Sequence, residues 1–210
     1  FIESEVIIQH YNESPLDFIV SDYAINYPFK YLSNDNFILS SYMVLPNEET
    51  RILLNNWIFN IYKYGEKIQT YTLLQKLITY IFKNFTYKVR EEAGVQTAKQ
   101  TLSYGSGSCR DFAFLFMEVV KCLGLATRFV SGYLYAPLMS DKVGSTHAWA
   151  EVYLPGGGWI GFDPTTGNIA GTDHISVAVS RLPDNVPPIA GSFLGVSDST
   201  ISVGVWVTKV

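Results

Sequence analysis

A chain of 210 residues, 48% hydrophobic and 16% charged, has the apolar content for one sizeable core and none of the bias of a disordered or fibrous protein. A net charge of −4 with 15 basic residues scattered along the chain and a pI near 5.3 argue against a nucleic-acid partner. No run of about 18 apolar residues is present to cross a membrane as a helix.

Residue 1 is Phe rather than Met, which reads as a trimmed chain or a segment of something longer, so the compartment is assigned only by default, as cytoplasmic. Residues 1–45 read as β, because Glu5–Tyr11, Asp17–Tyr23 and Asn36–Leu45 mix β-branched and aromatic residues between Asn, Pro and Ser. That block is too short for a sandwich of its own and reads as the remnant of a truncated β domain. From Asn47 the pattern turns helical, with Glu48 and Glu49 suited to a first turn and Ile52, Leu53, Ile58 and Tyr62 at helix-like intervals. A second helix is expected over Thr70–Asn84, with Leu73, Leu74, Leu77, Ile78 and Ile81 on one face. Phe85–Val89 reads as a short strand and Arg90 to about Thr97 as a polar loop.

The next segment, Gly105-Ser-Gly-Ser-Cys-Arg-Asp-Phe-Ala-Phe-Leu-Phe-Met, is the most informative. Ser108 followed by Asp111 is a capping-box spacing ahead of an apolar run. It predicts Ser108 as N-cap, Cys109 as the first helical residue, and a buried helix to about Leu123 that Gly124 ends. A thiol in a helix's first turn faces unsatisfied N–H groups and the positive end of the dipole, which favour the nucleophilic thiolate. Asp111 works as a cap but its charge opposes that thiolate. Cys122, at the far end of the same helix, reads as a small buried apolar residue. The two cysteines lie 13 residues apart on that helix, about 19 Å, and a disulfide needs Cα atoms within about 7 Å. They cannot pair with each other.

Strands are expected at Ala126–Tyr135, Thr146–Leu154 and Trp159–Asp163, with a Gly-rich turn at Pro155–Gly158, a loop-like tail, and a closing strand over Thr200–Val210. In His147-Ala-Trp-Ala-Glu-Val-Tyr-Leu, period-two alternation puts His147, Trp149, Glu151 and Tyr153 on one face. A three- or five-residue turn centred on Gly156 places Asp163 opposite Trp149 and diagonal to His147, about 7–8 Å away between backbones. A four-residue turn separates them. An aspartate bonded to one imidazole nitrogen leaves the other free to take a thiol proton. Of the other histidines, His10 has no assigned role and His174 is the rival base. Glu151 reads as a solvated strand glutamate.

Gly107-Ser-Cys-Arg-Asp-Phe-Ala, Leu123-Gly-Leu-Ala-Thr-Arg-Phe-Val-Ser-Gly-Tyr-Leu, the His147 block and Gly158-Trp-Ile-Gly-Phe-Asp-Pro-Thr-Thr-Gly together resemble the transglutaminase-like superfamily, in its bacterial branch of transglutaminase-like cysteine proteases. Asp173-His-Ile-Ser-Val-Ala resembles its downstream segment. The resemblance covers roughly residues 50 to 195. It implies an α+β, papain-like core, a helix bearing the thiol packed on an antiparallel sheet, with the catalytic domain over residues 46–210. It carries the nucleophile to Cys109, the base to His147 and the orienting acid to Asp163, with no cofactor and no metal. Phe114 stands where many members have histidine, so any role of that side chain is absent here. The implied activity is a cysteine peptidase or amidase acting on a protein or peptide. Transglutaminase chemistry and a non-catalytic scaffold are the alternatives, and the oligomeric state is left open. No calcium-loop pattern of the Asp-x-Asp-x-Asp-Gly kind is present.

Overall fold

The computed structural model describes residues 2–11, 17–135, 146–192, 194–195 and 202–209. Five strands form an antiparallel sheet in the order β8-β7-β6-β5-β9, from Asn168–Ile169 (β8), Gly158–Asp163 (β7), Thr146–Leu154 (β6), Thr127–Leu134 (β5) and His174–Ser180 (β9). The helix Cys109–Cys122 (α5) lies against this sheet, chiefly against β6. Its other sides meet α2 (Glu48–Phe59), α3 (Thr70–Asn84) and α4 (Ala98–Tyr104). The expected α+β arrangement holds.

The stripe on α5 explains the packing. Phe112, Leu115, Phe116, Val119 and Val120 recur at helical spacing and are buried to within 2%. They join Ala148, Ala150, Val152 and Leu154 of β6 in one apolar cluster. Each large side chain of that kind adds about 1.5–3 kcal/mol on leaving water. Leu73, Leu74, Leu77, Ile78 and Ile81 of α3 are fully buried in the same cluster. Asn47 caps α2, its side chain accepting from the Thr50 N–H at 2.9 Å.

Residues 1–45 correct the β expectation. Among the described residues of that stretch, only Asn26–Tyr27 (β1) is strand, paired with Ile68–Gln69 (β2). Within the stretch Asn36–Leu45, residues up to Leu39 belong to the helix Ser33–Leu39 (α1), and a 3-10 turn follows at Ser40–Tyr42. Glu5–Tyr11 carries no strand. Two tyrosines lying between the stretches read as β anchor the segment to the core. Tyr27 donates to the Leu123 carbonyl at 2.8 Å. The Tyr31 hydroxyl donates to the Tyr153 carbonyl at 2.8 Å and accepts the Ala126 N–H at 3.0 Å.

Other differences are local. The short strands Thr86–Tyr87 (β3) and Ser106–Gly107 (β4) pair parallel, and α4 opens with a Thr97–Gln100 capping box within the stretch expected to end a polar loop. The tail holds β9, whose His174-Ile-Ser-Val-Ala-Val-Ser alternates as a strand should. The expected closing strand is reduced to a single bridge at Val205, and Thr200, Ile201 and Val210 fall outside the described residues. Among the described residues, no helix is long and apolar enough to cross a membrane.

Candidate active site

Local sequence sets the start of α5. The Ser108 N–H and hydroxyl both donate to Asp111 Oδ2 at 2.8 Å. Asp111 is fully buried, and its Oδ1 accepts from Arg90 Nη1 at 2.6 Å and from the Gln96 N–H at 2.7 Å. Burial alone would raise this carboxyl, but the Gln96 and Ser108 N–H groups and the Arg90 guanidinium hold it below its ordinary value. Asp111 is therefore more than a cap. Its charge is answered by Arg90, which offsets its repulsion of a thiolate at Cys109, and it ties the 90–96 loop to the helix start. Arg110 fastens the same loop through the Arg90 and Glu92 carbonyls.

The hairpin of β6 and β7 brings in the other two residues. Its turn spans the three residues Pro155, Gly156 and Gly157, and the register pairs Ala150 with Phe162. Continued by one step, the ladder sets Trp149 opposite Asp163. Gly156 has φ +87°, and an added Cβ would lie 2.6 Å from the Ile19 carbonyl oxygen, so glycine is required there. His147 Nε2 lies 2.8 Å from Asp163 Oδ2. Asp163 is fully buried and His147 is 8% exposed.

His174 enters this group as well. Its Nε2 lies 3.1 Å from the same Asp163 Oδ2, which also accepts from the Thr166 hydroxyl at 3.0 Å, while the Thr165 N–H donates to Oδ1 at 2.8 Å. Burial opposes the charge on Asp163, yet the donors from His147 and His174 hold it well below the usual carboxylate range. Burial likewise opposes a charged His147. Asp163, followed by Cys109, outweighs it and pushes the imidazole up to about 10. Cys109 thus stands close enough to His147 to raise its imidazole both by hydrogen bonding and by charge.

Cys109 and His147 line one cleft of about 350 Å³, with Tyr87, Val89 and Val95 along one part and Phe129, Ser131 and Ala148 along another. Pro183, Val186, Pro187 and Pro188 supply a further wall. Burial and the adjacent Cys109 push the Tyr87 hydroxyl up to about 12. Tyr87 and the Pro183–Pro188 wall were not singled out by the sequence, because nothing local marks them as neighbours of the thiol. Trp149 shares the His147 face, and its ring lies 6.1 Å from His147 and 5.1 Å from His174.

His10 is exposed and lies outside any helix or strand. Glu151 is not a solvated glutamate: it pairs with Arg128 at 2.5 Å, and burial raises its carboxyl. Cys122 and Cys109 are both free thiols. Ligand atoms of His147, Asp163 and His174 lie within 4.8 Å of one another, a separation a divalent cation would accept. The contacts at 2.8 and 3.1 Å are also hydrogen-bond lengths, so the three side chains hold one another directly.

The family model of the transglutaminase-like superfamily matches residues 56–164. An uncharacterized protein of Mycobacterium leprae is 36% identical over 109 residues, covering 50% of this chain and 38% of that protein. One of Mycobacterium tuberculosis is 31% identical over 138 residues, covering 61% of this chain and 44% of that protein. The chain thus spans less than half the length of these curated relatives. Among solved structures, a Cytophaga hutchinsonii protein described as a candidate cysteine protease superposes with a TM-score of 0.59 at 20% identity, over 84% of this chain and 61% of that one. At that identity the likeness is one of fold.

Proposed function

The chain belongs to the transglutaminase-like superfamily, a family of thiol-dependent enzymes, and from that premise we propose that it is a cysteine peptidase or amidase working through a thioester on Cys109. The observation that carries this reading is the 2.8 Å contact between His147 and the buried Asp163 at the edge of a cleft that Cys109 also lines.

With Nε2–H donated to Asp163, the other nitrogen of His147 is the one that takes up the Cys109 proton, and the raised imidazole holds it as an imidazolium beside the thiolate. The Cys109 proton passes to that nitrogen and the sulfur attacks the amide carbonyl, forming a C–S bond. The resulting oxyanion draws on the N–H groups of Cys109 and Arg110, which have no acceptor among the described residues. The C–N bond then breaks as the His147 imidazolium protonates the leaving amine. Water, deprotonated by His147, attacks the thioester, and the carboxylic acid leaves as the thiol regains its proton. Bulk water at ~55 M is the default acceptor in an open cleft. A protein or peptide is the substrate class proposed.

The test has two arms. Iodoacetamide at about pH 6 should alkylate Cys109 well ahead of free cysteine, and an extended peptide library should leave an acyl group on Cys109 that mass spectrometry identifies. A thiol no faster than free cysteine would sink the enzymatic reading in favour of a scaffold. Transfer of the trapped acyl group to added amine rather than to water would make the protein a transglutaminase instead.

A further inference from the structure

We propose that His174 is a positioning residue: by donating to Asp163 it keeps that carboxylate an anion and so keeps the second proton on His147. The role rests on the function proposed above and names a residue that the three-part site of Cys109, His147 and Asp163 leaves out.

The protonation state of His174 is written in its contacts. The Gly171 N–H donates to His174 Nδ1 at 3.1 Å, so Nδ1 presents a lone pair and Nε2 carries the hydrogen that faces Asp163 Oδ2 at 3.1 Å. The ring cannot swing away freely, since Trp149 meets it edge-on at 5.1 Å. The chain also makes room for it. A Cβ on Gly132 would lie 2.0 Å from the Ile175 carbonyl oxygen, so only glycine lets β9 approach β5 there, beside the irregularity between Ser131 and Gly132.

The chemical need follows from burial. Asp163 has no exposed surface, and a dry carboxylate beside a lone imidazolium tends to take its proton, leaving two neutral groups. His147 would then hold a single hydrogen and be a poorer acid toward a leaving amine. Donors from His174, Thr166 and Thr165 replace the water that Asp163 lacks. The proton taken from Cys109 therefore stays on the imidazole while Asp163 stays charged. Other charged or titratable groups around the set are Arg110 of α5 and Tyr87 of β3, and Asp173, next to His174, which pairs with Lys209 at 3.1 Å.

Alkylation of Cys109 measured against pH tests the role in the parent, His174→Phe and His174→Gln. Phenylalanine keeps the ring and loses the donor, whereas glutamine restores an N–H near the Nε2 position. In His174→Phe the midpoint should rise by about one pH unit, with a roughly tenfold slower reaction at about pH 6, and His174→Gln should recover most of that loss. A purely structural residue would lower the rate by the same factor at every pH and leave the midpoint in place, which overturns the role. A parent thiol no faster than free cysteine sinks the proposed function first, whereas a reactive parent with an unmoved midpoint in His174→Phe sinks this role alone. If the phenylalanine variant does not fold, nitrogen NMR of labelled histidine in the parent decides: neutral His174 with its proton on Nε2 upholds the role, and a proton on Nδ1 overturns it.

Discussion

The two ends of α5 carry the same side chain in opposite circumstances. Cys122, at the C-terminal end, is packed beside Glu118, and burial followed by that carboxylate pushes its thiol up to about 11 despite Arg51 and Lys121 nearby. Cys109, at the N-terminal end, lines the cleft and borders His147. Each end also buries an acid. Glu118 has Lys121 at 2.8 Å, whereas Asp111 gathers donors from Ser108, Arg90 and Gln96 and through them holds a cleft wall. A cysteine's chemistry is thus decided by which helix end it occupies and what stands opposite, not by burial in a helix as such.

That contrast can be broken most sharply at Cys109. Replacing it with alanine should lower the proposed acyl-transfer rate by about 10⁴-fold or more, measured as amide turnover, and residual turnover close to the parent's would erase the distinction between the ends. Asp111→Ala comes next. It removes the buried partner of Arg90, which keeps only the exposed Glu92 at 3.4 Å, and should cost about 3 kcal/mol in urea unfolding, well beyond the cost of removing a cap alone, about 1 kcal/mol.

A third test uses pH. His147 lies above its ordinary value, so its stabilising contribution is complete below about pH 6.5 and drains away as pH rises through about 10. Asp163 lies below its ordinary value, so its contribution is present above about pH 4 and is lost as pH falls further. The gap in urea midpoint between the parent and His147→Gln should therefore narrow between pH 6.5 and 10, and a constant gap would refute the coupling. The smallest effect belongs to Cys122→Ala, expected to leave turnover within about twofold and to cost about 1 kcal/mol at most for a small loss of packing.

Much of this was legible beforehand wherever the signal is local. The Ser108 and Asp111 spacing, the α5 stripe and the alternation around His147 each depend on neighbours within a few residues, whereas the turn at Gly156 left more than one hairpin register open and the observed three-residue turn is one of them. What escaped is set by contacts distant in sequence. Tyr87 and Pro187 share a cleft with Cys109 only through tertiary folding, and the second donor to Asp163 arrives on a strand of its own. The N-terminal stretch misled for the converse reason. Its aromatic residues have strand-like composition, but Tyr27 and Tyr31 spend their hydroxyls on the core rather than in a ladder.

Tyr31 makes that last point consequential. Ala126 and Tyr153 already share one backbone bond at 3.0 Å, and the phenol oxygen stands between their remaining N–H and C=O as a water molecule would. One residue from the opening segment thus acts as a rivet in the seam between two strands, and Tyr31→Phe would leave both backbone groups with no partner. Anyone shortening this protein to its recognisable core at residue 46 would be removing a piece of the sheet.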